Sequence, residues 1–357
     1  MSTTADRVRE LIAASGLTHR VFAERIGLDA TKLSKSLSGS RRFSSLDLAE
    51  VSELCGVTVD WLITGTEPEL AVAARSTGGT AAVALEEAQR LSTMRSDMAF
   101  LGFGQPWHEP DLSGLRQGSA EERAAAARAR ITEVGRSVSE PELAEVVEAA
   151  FGVDVTVCAL GQDFDGLSVS SDEAKLILVG TSQMPARQRF TIAHELGHLL
   201  NGDDQQIHID ANVYNAKYRL DESERLANAF AAALLMPSAR LREAVGGTGI
   251  DEPDFARLAD ELAVSPSSLA LRLKDLRLID AGVCDRFRKL SSARAAAMAG
   301  RGDVYADLVA RSSRPRPPGL LCRDAYRAYE SGEATLRPYA ALLGVEVDSL
   351  RESLESH

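Results

Sequence analysis

Five consecutive residues, His194-Glu195-Leu196-Gly197-His198, constrain this chain more than any other stretch of it. An α-helix brings positions i and i+4 to one face, so a helix here projects both imidazoles toward a single point. The flanking sequence supplies that helix. In QRFTIAHELGHLLN, residues Phe190, Ile192, Ala193, Leu196, Leu199 and Leu200 form an apolar face at helical spacing. Two imidazoles in this register are the start of a zinc site, and Glu195 between them is placed to take a proton from water there. The chain has only six histidines, so finding two of them here carries weight.

A zinc site needs a third protein ligand, typically a carboxylate from another helix. Glu224 lies 26 residues after His198 and opens the apolar stretch ERLANAFAAALLM. Glu224 and Asn228 are again i and i+4. Glu224 can close a His₂Glu set with the fourth position left to water, and Asn228 can orient a histidine from behind. Asp221 and Glu222 are rival carboxylates, since a helix N-terminus attracts acids for its dipole alone. His208, Tyr214 and Tyr218 lie between the two helices and are candidates to stabilise negative charge developing on a substrate. Ligand type points to Zn2+, although Mn or Fe also suit such a donor set.

QRFTIAHELGHLLNGD followed by ESERLANAFAAALLMP closely resembles the ImmA/IrrE metallopeptidases, over roughly residues 115–285. The resemblance implies a zincin-like domain of gluzincin type, with zinc on His194, His198 and Glu224 and with Glu195 as general base. Members of that family cleave transcriptional repressors, often of the helix-turn-helix class, and so switch on stress, mobile-element or defence genes. A protein substrate of that kind is therefore expected. The rival reading is a transcription regulator whose peptidase-like domain senses a ligand without proteolysis. The intact Glu195 separates the two, because a sensor has no need of the base.

Residues 5–66 read as five short helices. Thr18 and Asp29 stand where caps belong, Gly27 and Gly39 where helices stop, and Trp61 reads as core. VFAERIGLDATKLSKSLSGSRRFSSLDLAEVSELCGVTVDWLITG resembles the helix-turn-helix domains of the XRE class. Residues 1–66 hold eight basic and eight acidic side chains, yet 30–45 carry Lys32, Lys35, Arg41 and Arg42 with no acid. That run would meet DNA: Thr31, Lys32, Ser34 and Lys35 at base edges or nearby phosphates, Arg41 and Arg42 at the backbone. A homodimer is a candidate assembly.

The net charge of −12 repels nucleic acid on average, so such contact must be local. Four scattered cysteines without a CxxC pair exclude a disulfide framework and a Cys-based metal site. No run approaches the roughly 18 apolar residues of a membrane span, and the N-terminal stretch has no apolar signal core. A cytoplasmic location and no membrane partner are therefore expected. The predicted fold is mainly α with an α+β domain. A five-helix bundle occupies 1–68, and a linker and connecting helix 69–114. A metallopeptidase domain follows at 115–285, its small sheet using the strands DVTVCAL and KLILVG. A helical C-terminal region of unassigned role occupies 286–357. Within it, 286–316 is basic, a run that can either touch nucleic acid or remain solvated.

Overall fold

Side-chain caps set the first helices. Thr3 and Asp6 form a reciprocal capping box on α1 (Thr4–Ser15). Thr18 accepts from the Val21 amide to open α2 (His19–Arg25), and Asp29 from the Lys32 amide at 2.7 Å to open α3 (Ala30–Leu37). Gly27 takes a left-handed φ of 66° in the turn between α2 and α3, where a side chain would be strained. α4 (Ser45–Cys55) and α5 (Val59–Thr64) complete the bundle. Val8, Ile12, Phe22, Ile26, Leu33, Val51 and Leu62 form its core. One expectation is refined here: Trp61 packs against this core but is only partly buried, and Leu62 fills the centre. From α4, Leu48 and Val51 are buried while Leu46 is 71% exposed. Arg7 is buried and donates to the carbonyls of Leu62 and Ile63, satisfying acceptors at the end of α5.

The computed structural model describes residues 3–55, 57, 59–64, 80–109, 119–160, 165–171, 174–201, 208–210, 222–246 and 249–355. Two compact units divide the chain, Met1–Glu86 and Glu87–His357. After α6 (Thr80–Phe100) comes α7 (Ala120–Glu133), opened by a Ser119–Glu122 capping box. α8 (Leu143–Phe151) leads into β1 (Asp154–Cys158), followed by β2 (Gly166–Ser170) and β3 (Lys175–Gly180). Then come α9 (Pro185–Asn201), β4 (His208–Asp210) and α10 (Glu222–Leu235). The remainder is helical: α11 (Ser238–Val245), α12 (Glu252–Glu261), α13 (Pro266–Asp275), α14 (Ala281–Phe287), α15 (Ser292–Met298) and α16 (Gly302–Ser312). α17 (Gly319–Glu330), α18 (Arg337–Leu343) and α19 (Val347–Glu355) end the described chain. The molecule is mainly α with an α+β domain, as the sequence predicts.

The sheet runs in the order β1-β3-β2-β4. β1 and β3 pair in parallel, Asp154 opposite Leu176 and Val157 opposite Val179, while β2 runs antiparallel to both β3 and β4. β1 and β3 are the two predicted strands, and β3 is central. Their near-continuous apolar runs suit burial on both faces. Val155, Ile177 and Val179 join Ile192 and Leu196 of α9 and Phe230 of α10 in one core.

Half of the eight basic residues in 286–316 form ion pairs. Arg301 meets Asp260 at 2.9 Å, Arg311 meets Asp307 at 2.8 Å, and Arg316 meets the buried Glu148 at 2.5 Å. Arg316 also exchanges two 2.9 Å backbone hydrogen bonds with Val157, covering the outer edge of β1. A second buried cluster lies alongside. Arg95 of α6 binds both carboxylate oxygens of Asp154 and reaches Asp324 of α17 at 2.8 Å. All three are almost fully buried, so removing one partner would strand charge in the interior at a cost of about 3–5 kcal/mol. All four cysteines are free, and no helix among the described residues is long and apolar enough to cross a membrane.

Candidate metal centre

α9 holds the two histidines as its spacing requires. Their Nε2 atoms are 3.0 Å apart and the rings sit edge to face, with centroids 4.7 Å apart. Both side chains are buried. Glu224 enters from α10. Its Oε2 lies 3.4 Å from His194 Nε2 and its Oε1 3.3 Å from His198 Nε2. One donor atom from each of the three residues thus falls within 4.8 Å of the other two. Atoms about 2.1 Å from a tetrahedral zinc ion lie about 3.4 Å from one another, so the set suits such an ion. Two imidazoles and one carboxylate are also the donor chemistry that zinc takes in hydrolytic sites.

Gly197 explains how α10 comes so near. A Cβ at this position would stand 3.0 Å from Phe230 Cδ1 and 3.3 Å from the Cα of Ala227. α10 therefore lays Ala227 and the Phe230 ring directly on the bare backbone of α9 at Gly197, and Glu224 one turn before Ala227 reaches the histidines. Burial alone would raise the Glu224 carboxyl. Hydrogen bonds from His194 and His198, with their charge, outweigh it and hold the group well below the ordinary carboxylate range. Glu224 is thereby kept ionised, the form in which it can ligate.

Behind His198, the hydroxyl of Ser223 lies 3.4 Å from Nδ1. A hydrogen bond between that hydroxyl and Nδ1 sets the ring with Nε2 turned toward Glu224 and His194. This is the place the sequence reading gives to Asn228. Asn228 sits half-buried a turn further along α10 and, among the described residues, makes no hydrogen bond to either histidine. Ser223 left no signal, because one serine beside a helix start reads first as a cap.

Glu195 is fully buried on the neighbouring face of α9, packed against the beginning of β2. A Cβ on Gly166 would fall 2.7 Å from Thr191 Cγ2 and 3.1 Å from Glu195 Oε1. Only glycine lets the strand approach the helix this closely. Of the other sequence candidates, Asp221, Tyr214 and Tyr218 lie outside the described residues. His208 begins β4 and Glu222 begins α10, with neither side chain described.

On the N-terminal unit, Thr31, Lys32, Ser34 and Lys35 are exposed along α3 and Arg42 is exposed after it. Arg41 differs. It is held by Asp47 at 2.7 Å and donates to Ser36 Oγ at 2.8 Å, so its charge is engaged within the fold. Lys32 likewise lies 3.5 Å from Asp29. The run free of acids in sequence acquires two in space.

Residues 148–274, which contain all four central residues, match the peptidase family described as the IrrE N-terminal-like domain. The radiation response metalloprotease IrrE of Deinococcus radiodurans is 36% identical over 125 residues, 35% of this chain and 37% of its own. The radiation response metalloprotease IrrE of Deinococcus deserti is 34% identical over 149 residues, 40% of this chain and 52% of its own. The chain spans between a third and about half of the length of these curated relatives. Over residues 148–274 the chain is thus similar to the ImmA/IrrE metallopeptidases.

Proposed function

We propose that this chain is a zinc-dependent endopeptidase with a DNA-binding N-terminal domain, and that it cleaves a helix-turn-helix repressor to release stress, mobile-element or defence genes. One observation carries the reading: three buried donor atoms 3.0–3.4 Å apart, with a buried carboxylate on the adjoining helix face. His194, His198 and Glu224 would hold the ion. When bound, zinc supplies Lewis-acid polarisation of a peptide carbonyl and acidifies water. Glu195 supplies the proton handling. Its carboxylate accepts the proton of the attacking water and returns it to the nitrogen of the departing amine. Burial against Gly166 and Thr191 keeps that carboxylate from bulk water and fixes its direction. Ser223 holds the His198 ring in place.

The test is peptide-bond cleavage of the helix-turn-helix repressors encoded beside this gene. Wild type is expected to cut one of them, and Glu195→Gln to bind metal equally and cut none. Cutting by Glu195→Gln at the wild-type rate contradicts the assignment of the base. For the N-terminal domain, exposed Arg42 and Lys35 are the expected phosphate contacts. Arg42→Ala should weaken binding to all DNA sequences alike and lower the salt slope by about one. An unchanged slope would remove Arg42 from the interface.

A further inference from the structure

Between α9, α12, α15 and α16 the protein holds a cavity of about 200 Å³. Val264, Ala295, Ala296, Val304 and Leu308 give it apolar walls, and Pro185, Ala186 and Arg189 line it from the first two turns of α9. α16 is the thinly packed side. Only Ser312 of that helix is buried, so Val304, Tyr305 and Leu308 stand half-exposed over the cavity. Protein interiors are close-packed, and an apolar gap of this size between helices is a place for an occupant of matching shape.

Arg189 stands in the wall of this cavity and also in that of a smaller one of about 50 Å³, which shares Pro141, Pro185 and Leu308 with it. The residue is 4% exposed. Its Nη1 donates to the carbonyls of Glu140 and Pro141, at 2.6 and 3.2 Å, and its Nη2 to that of Val138. Nε makes no hydrogen bond, and among the described residues no carboxylate forms an ion pair with the guanidinium. Burial pushes the group down to about 10, opposed only by the charge of Glu142, which Arg311 already holds at 3.4 Å. A cation taken from water without a counter-charge is costly, so this one gains wherever an anion can come against it.

The other charges around the cavity are already matched. Arg301 holds Asp260 at 2.9 Å, and Arg240 holds Glu261 at 2.8 Å. Arg189 is the unmatched charge of the wall, and its sign selects an anion. Three of its five N–H groups are bonded, which leaves Nε–H and one on Nη2, the number a carboxylate takes. The size is equally selective. A cavity of about 150 Å³ accepts a benzene ring, so this one suits a ring or a short branched chain that carries a carboxylate.

We propose that this cavity binds a small organic acid, a monocarboxylate with a compact apolar body of about six to eight carbons. The carboxylate pairs with Arg189, and the body lies against Val264, Ala296 and Val304. α15 and α16 follow residue 274, where the family match ends, so the matched domain does not hold the site by itself. Binding here is independent of the peptidase reading, and its test requires no turnover.

Isothermal titration calorimetry of the full-length protein tests it with benzoate as the probe. Benzyl alcohol keeps the ring without the charge, and acetate keeps the carboxylate without the ring. Benzoate is expected to bind saturably below about 10 mM, and each of the other two at least about tenfold more weakly. Val304→Trp, which fills the cavity from a half-exposed position, should abolish benzoate binding. Arg189→Met, which keeps the apolar stem, should bring benzoate down to the level of benzyl alcohol. Arg189 also ties down residues 138–141, so circular dichroism checks that variant for folding, and if it is unfolded Val304→Trp locates the site. Absence of saturable benzoate binding by wild type overturns the proposal, as does binding that survives Val304→Trp. Equal binding of benzoate and benzyl alcohol by wild type overturns it too, because the charge of Arg189 would then select nothing.

Discussion

Gly197 matters to the centre as much as either histidine beside it, because it sets how closely α10 can lie on α9. Two neighbours meet a Cβ there, and one of them is backbone, which cannot turn aside. Gly197→Ala should push the helices apart by a few tenths of an ångström and draw Glu224 off its partners. We expect metal affinity to fall at least about tenfold in competition with a chelator, with the protein still folded. Unchanged affinity would mean that the helix spacing does not position Glu224. The two histidines, Glu195 and Glu224 could be picked out from spacing along two helices. Gly166 and Ser223 could not. Their importance comes from which strand and which helix end lie against α9, and no interval in the sequence records that.

At the scale of elements, the caps were the most legible feature. Thr18 and Asp29 each open the helix expected of them, because a capping bond is made within three residues. β2 was hidden for a physical reason. Its sequence, GLSVS, alternates small residues with only two apolar ones, and its first position must be glycine to admit Glu195. α4 shows how an element can carry a pH response. Burial raises the Asp47 carboxyl, but the Ser44 amide and hydroxyl and the Arg41 guanidinium outweigh it and hold the group below the ordinary value. A depressed folded-state pKa contributes stability above the unfolded value of about 3.9, and that contribution disappears as pH falls through the folded value. Thermal unfolding should therefore find Asp47→Asn less stable than wild type at neutral pH, with the difference closing below about pH 4. A difference constant across that range would show that the Asp47 charge plays no part.

For the whole molecule, the unit Glu87–His357 is joined by long-range ionic ties rather than by sheet alone. Arg95 links α6, β1 and α17, and Arg316 links the end of α16 to α8 and the edge of β1. The basic character of 286–316 was plain in the sequence, but its partners were not, since Glu148 and Asp260 are distant along the chain. These ties hold the core that presents α9 to α10, where the molecule's chemistry is concentrated. The central claim is that one metal ion is held by His194, His198 and Glu224. Elemental analysis of the purified full-length chain tests it most directly, comparing wild type with Glu224→Ala and with Glu222→Ala, the rival carboxylate. We expect about one zinc per chain in wild type and in Glu222→Ala, and almost none in Glu224→Ala. Metal-free wild type, or full metal content in Glu224→Ala, would contradict the account.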